Sequence, residues 1–151
     1  MTAYVAVVGP GDPDDEELLE MAREAGRLLA QRGFVVVTGG LGGVMAAAAE
    51  GAAEAGGTAV ALLPGDDRST ASPGHAIAIP TGLGELRNGL VVRAADAVLA
   101  VGGAWGTLSE IALAARTGVP VFSVRSWDLP APVTACESVA EAVEAITEAV
   151  G

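Results

Sequence analysis

The chain has 151 residues, 51% of them apolar, with 8 Lys+Arg against 19 Asp+Glu and a formal net charge of −11. All eight cations are arginine, and the absence of lysine excludes a pyridoxal-phosphate enzyme, which needs a Schiff-base lysine, and a P-loop of the usual type. The acidic balance argues against nucleic acid as a partner, because such binding needs many phosphate-neutralising cations.

Half-apolar composition at this length supports one domain, 1–151, with a core that needs no staples. The one cysteine, Cys136, fits a reducing, cytoplasmic compartment. No basic-then-apolar leader opens the chain, and its apolar runs are too short to span a bilayer, so no membrane partner is expected.

In chain order, the first strand is expected at Tyr4–Val8, followed by Gly9-Pro10-Gly11. A helix follows over Asp14–Gln31, with Asp12 as N-cap and Pro13 at its first position. The acids Asp14, Asp15, Glu16 and Glu17 suit that helix end and make it a poor anion site. A dinucleotide fingerprint fails here, because Asp14 holds the third glycine position and the second strand, Phe34–Thr38, ends without an acid. Gly9 and Gly11 remain candidates for lining a pocket.

The second strand runs into Gly39-Gly40-Leu41-Gly42-Gly43. Four glycines in five residues exceed what a strand–helix turn needs, which points to ligand contact through exposed amides. Met45 reads as core. The Ala-rich helix Val44–Ala55 is either squeezed between the sheet and its neighbours or part of a subunit interface.

Strands are then expected at Thr58–Leu63 and Ala76–Ile79, separated by the irregular stretch Gly65–Gly74. His75 stands alone, without partners at metal-ligand spacing, so no metal site is expected. A helix over Leu83–Ala94 carries Arg87 and Asn88. Arg87 reads either as a surface cation or as a group that holds a phosphate or ribose hydroxyl.

The strand Ala97–Val101 leads into Gly102-Gly103-Ala104-Trp105-Gly106-Thr107-Leu108-Ser109-Glu110 and a helix over Thr107–Arg116. Glycines before a helix start describe an anion cradle, with a carboxylate one turn inside. The competing reading is a capping box, Thr107 to Glu110, that needs no ligand. Trp105 is expected to pack beneath the sheet edge, with a place over a ligand as the other option. The strand Val119–Val124, a turn at Trp127–Pro132 and a helix over Ser138–Val150 close the chain. Strands alternating with helices, several apolar throughout, imply a three-layer α/β/α Rossmann-like domain with a mostly parallel sheet.

The glycine loop through Met45, Pro64-Gly65, Arg87-Asn88 and Gly103-x-x-Gly106-Thr107-x-x-Glu110 together resemble the LOG-type family, Rossmann-like proteins often labelled lysine decarboxylases. The resemblance runs from about Tyr4 to Val124. It is nearest to a short bacterial branch related to DNA-processing protein A, of which Pro80–Glu85 and the Gly-Trp-Gly-Thr-Leu-Ser-Glu run are typical. It implies a nucleoside 5′-monophosphate phosphoribohydrolase, splitting the N-glycosidic bond to free base and ribose 5-phosphate without metal or organic cofactor.

In that reading Glu110 is the catalytic acid and Arg87 the catalytic arginine. Gly40, Gly42 and Gly43, with Gly103, Ala104, Trp105, Gly106 and Thr107, hold the phosphate or nucleotide, and Pro64 and Asn88 line the pocket. A homo-oligomer, favoured as a dimer, is implied. The chain departs from the signature at Gly102 and Ala104, and carries Pro10 where many members have serine. These departures support the alternative, a non-catalytic nucleotide-binding or sensor protein.

Overall fold

The computed structural model describes residues Met1–Gly151. Seven strands form one sheet: β1 (Tyr4–Val8), β2 (Val35–Thr38), β3 (Ala59–Leu63), β4 (Ile77–Pro80), β5 (Ala97–Val101), β6 (Val121–Val124) and β7 (Val133–Ala135). Five helices connect them: α1 (Glu16–Gln31), α2 (Val44–Glu54), α3 (Arg87–Ala94), α4 (Trp105–Thr117) and α5 (Val139–Val150). Spatial order is β4-β3-β2-β1-β5-β6-β7 and every pairing is parallel. The expected Rossmann-like α/β/α architecture is the one observed.

The strands are apolar throughout because both sheet faces are covered. On one face Val5, Val7, Leu99 and Val101 pack with Leu29 of α1, Ala48 of α2 and Ile146 of α5. On the other, Ala6, Val8, Val98 and Ala100 pack with Val92 of α3 and Ile111 of α4. No helix is long and apolar enough to cross a membrane.

The small residues of α2 serve its contact with α1. A Cβ on Gly26 would lie 1.9 Å from the Ala48 carbonyl, and one on Gly51 would lie 1.9 Å from the Arg23 carbonyl. Larger side chains would force the two helices apart, so the squeezed-helix reading accounts for the composition of α2.

Several elements differ from the sequence expectation. Helix α1 starts at Glu16 with Asp15 as N-cap, its side chain accepting from Glu17 N–H and Leu18 N–H. Asp15 also accepts from Arg125 beyond β6, at 2.8 Å, a partner that the sequence pattern could not show. Gly84–Leu86 is a short 3₁₀ turn before α3 rather than part of its first turn. Strand β7 was not expected at all. It is three residues long and joins the sheet through β6, with Val121 opposite Val133 and Ser123 opposite Ala135.

Candidate functional site

Strand order reverses between β1 and β5: the connection after β1 passes to β2 on one side, and the connection after β5 passes to β6 on the other. A crevice opens at the carboxyl ends of two such strands, the ligand position of open α/β sheets. Here it is a cleft of about 220 Å³, walled by Gly9, Pro10 and Gly11 after β1, Gly39 after β2 and Met45 on α2. Val7 and Val8 at the end of β1, Arg87 and Asn88 on α3, and Ala104, Gly106, Thr107 and Glu110 after β5 complete it. Gly9 must be glycine, because a Cβ there would meet the Val101 carbonyl at 2.3 Å. That closeness brings the β1 and β5 loops together.

The start of α4 is open. Ala104 is its N-cap, in extended conformation and with no side-chain cap. The Leu108 N–H donates to the Ala104 carbonyl at 3.0 Å. The amides of Trp105, Gly106 and Thr107 therefore lack intrahelical acceptors, and the helix dipole adds positive potential at this end. The capping-box expectation fails because the helix begins two residues earlier than the sequence pattern suggests. Thr107 then sits inside the first turn with its hydroxyl buried and unpartnered. Glu110 lies nearly two turns in, too far along to reach back to the helix start.

Glu110 is 8% exposed, and neither a salt bridge nor a hydrogen bond engages its carboxyl. Burial pushes that carboxyl up to about 7, with the positive charge of Arg87 pulling the other way. Arg87 is half-buried; desolvation lowers its affinity for its proton while Glu110 supports it. Its guanidinium donates to the Gly39 carbonyl at 3.3 Å and to the Asn88 side-chain oxygen, and its Nε is buried without a partner. Arg87 and Glu110 face one cleft without forming an ion pair. The cleft thus presents one cation, one carboxyl near its titration point, an unpaired hydroxyl and open helix amides. Groups of these kinds can hold an anion and exchange a proton with it.

Of the residues singled out from sequence, Gly9, Gly11, Arg87, Asn88, Ala104, Gly106, Thr107 and Glu110 share this cleft. Apart from Gly39, the first glycine loop stands behind it. Gly40 packs on Ala61 and Leu63 of β3 and donates its N–H to the Thr38 hydroxyl at 2.9 Å. Gly42 and Gly43 back the Gly11 carbonyl, where a Cβ would come within 3.1 Å and 2.7 Å. Pro64 accepts from Gly84 N–H away from the cleft, at 2.9 Å. Gly103 lies against Trp127.

Met45, expected in the core, is part of the cleft wall. Trp105, expected to pack beneath the sheet edge, is 78% exposed. Val7, Val8 and Pro10 are wall residues that the sequence did not nominate; they border Gly9 and Gly11, which was the available signal. His75 is held by structure, with its Nε2 2.7 Å from the Thr38 hydroxyl and its Nδ1 3.0 Å from the Ser72 carbonyl.

A family model described as the SLOG cluster4 family matches residues 2–150. The chain belongs to that family. The match runs well past Val124, where the resemblance read from sequence stopped, and the LOG-type assignment holds at the level of the superfamily only. A protein of Archaeoglobus fulgidus described as uncharacterized is 42% identical over 121 residues, 80% of this chain and 79% of that protein.

Among solved structures, the molybdenum cofactor binding protein of Rippkaea orientalis is 34% identical with a TM-score of 0.93, covering 100% of this chain and 99% of that one. The molybdenum cofactor carrier protein of Chlamydomonas reinhardtii is 35% identical with a TM-score of 0.91, covering 99% of each chain.

The partner expectation, a nucleoside monophosphate with nucleic acid excluded, is corrected by these structures. DNA processing protein A of Helicobacter pylori, described by its single-stranded DNA binding mode, shares this fold. Its TM-score is 0.72 at 20% identity, over 97% of this chain and 80% of that one. Net charge counts every solvated carboxylate on a surface, whereas a binding groove is governed by the charges near it. A value of −11 for the whole chain was therefore no ground for exclusion.

Proposed function

We propose that this protein binds and carries a phosphorylated pterin-type cofactor, the molybdenum cofactor or a relative of it, without hydrolysing it. The observation that carries the proposal is the open start of α4 facing Arg87, in a chain similar along its whole length to molybdenum cofactor binding and carrier proteins. The residues present fit the phosphate end of such a group. The amides of Gly106 and Thr107, the unpartnered Thr107 hydroxyl and the unpartnered Arg87 Nε are donors in search of an acceptor. Hydrogen bonds to a charged acceptor are the stronger kind.

Glu110 changes role in this reading. A carboxyl poised at about 7 is half protonated at neutral pH, and a bound anion raises it further by like-charge repulsion. It then donates a hydrogen bond to the phosphate instead of repelling it. The cofactor, as cargo, supplies redox chemistry to the enzyme that receives it; this chain holds, orients and shields it.

The competing reading is N-glycosidic hydrolysis of a nucleoside monophosphate, favoured by one observation, the placing of Glu110 and Arg87 across the cleft without an ion pair. Equilibrium dialysis against the cofactor, with bound molybdenum measured, tests the carrier reading. Incubation with a panel of nucleoside monophosphates, assayed for ribose 5-phosphate, tests the other. Retention of molybdenum at unit stoichiometry with no ribose 5-phosphate is the expected result. Multiple turnovers that vanish in Glu110→Gln would replace the carrier reading by the hydrolase one.

A further inference from the structure

The chain has two tryptophans and an aromatic content of 3%, and both indoles are in one place. Trp105 and Trp127 have ring centroids 5.1 Å apart with a 39° interplanar angle. Trp127 is held: its Nε1–H donates to the Ala104 carbonyl at 3.0 Å. Gly103 lets the backbone lie against it, since a Cβ there would come within 3.1 Å of the indole. Trp105 is not held in this way and exposes most of its surface, an unfavourable use of the side chain with the most apolar area to bury.

The strip Gly103–Gly106 serves two sides. Ala104 is extended, at φ −140° and ψ 175°, and the helix begins at the next residue. Ala104 and Gly106 wall the cleft, while Gly103 and Trp127 bound a neighbouring depression with Arg125 and Ser126. The Ser126 hydroxyl in that depression is buried without a partner. Arg125 adopts φ 53°, a left-handed conformation that costs about 1 kcal/mol or more for a non-glycine residue. An aromatic face beside an unpaired hydroxyl suits a flat ring with polar atoms on its edge. A plain hydrocarbon would leave that hydroxyl unsatisfied.

We propose that Trp105, backed by Trp127, is a stacking shelf for the fused heteroaromatic ring of the ligand whose anionic end the cleft takes. The proposal rests on the cofactor-binding reading above and adds the part of the site that selects the ring. A pterin and a purine both have the required shape and edge, and the test separates them.

Because both tryptophans belong to the shelf, selective tryptophan excitation of the whole protein reports on nothing else. Neopterin monophosphate, guanosine monophosphate and inorganic phosphate are titrated by emission and by calorimetry. The ring-bearing phosphates are expected to quench emission and inorganic phosphate to leave it unchanged. Trp105→Ala is expected to weaken the ring-bearing ligand by about 5- to 100-fold, the usual size of base–aromatic stacking, without moving the affinity for inorganic phosphate. Trp105→Phe keeps most of the affinity. The ligand that loses more names the ring.

Equal affinity in Trp105→Ala, or binding by calorimetry without quenching, overturns the shelf. Phosphate binding with no binding of either ring compound also overturns it and leaves the anion cleft standing. Failure of all three to bind removes the cleft reading and the shelf with it. A concentration-dependent blue shift that no ligand moves assigns Trp105 to contact between copies of the chain and ends the proposal.

Discussion

Helices α1 and α4 begin at the same edge of the sheet, after neighbouring strands, and treat that end in opposite ways. The start of α1 is closed by its own residues: Asp15 accepts two backbone N–H groups, Glu16 and Glu17 follow, and Arg125 pairs with Asp15 and Glu17 at 2.8 Å and 3.5 Å. The start of α4 has alanine as its cap, no acid in its first turn and buried donors with nothing to bind. A helix end that satisfies itself is part of the scaffold. One left open, opposite a cation and beside a carboxyl with a raised pKa, is the end on which the proposed binding reading rests.

The largest expected effect tests whether that preparation depends on charge. Arg87→Ala removes the cleft's cation and is expected to cut affinity for a phosphate ligand by about 10²–10³-fold, as for other half-buried charge partners. Calorimetry with inorganic phosphate measures it, and a loss under threefold would reduce Arg87 to a wall residue.

Next is Glu110. Its folded pKa of about 7 lies above the ordinary carboxylate value of 4.5, so the folded protein holds a proton that the unfolded chain releases between those values. Stability is therefore expected to fall as pH rises from about 4.5 to about 7, by roughly 3 kcal/mol in all, and then to level off. Glu110→Gln should remove that slope and raise Tm at pH 8 but not at pH 4. Parallel Tm–pH curves for the two proteins contradict the burial argument. Ligand binding near neutral pH should take up protons, read as a buffer-dependent calorimetric heat.

A more direct challenge is Ala104→Asp, which gives α4 the kind of cap that α1 has. The free protein should gain about 1 kcal/mol while phosphate affinity falls, because the amides are now occupied. Gain of stability with unchanged affinity would show that the open start is not the anion site. The smallest effect belongs to Asp15→Ala: Tm drops by a few degrees as α1 loses its cap, and ligand affinity stays as it was.

The strands and the cleft's two loops were legible because their signals are local. β-branched runs such as Val35–Val37 and glycine clusters before a helix carry their meaning over a few residues. What was missed depends on distant partners. Asp12 was the expected cap of α1; Asp15 takes that place, and its partner Arg125 lies 110 residues away. Gly106, a poor helix former, hid the true start of α4 and so made Glu110 look like part of a cap. β7 is too short to have a periodicity, and it exists because β6 offers it an edge. Trp105 looked like core because tryptophan usually is, and only its neighbours show that nothing covers it.

Both strands that deliver the cleft, β1 and β5, lie inside the sheet, flanked by β2 on one side and β6 on the other, and β5 is buried from end to end. Such strands exchange their amide hydrogens only when the whole domain opens. The floor of the cleft is therefore expected to be its most protected part in amide exchange, and the rim, where Gly103, Trp105 and Gly106 are in contact with water, its most mobile.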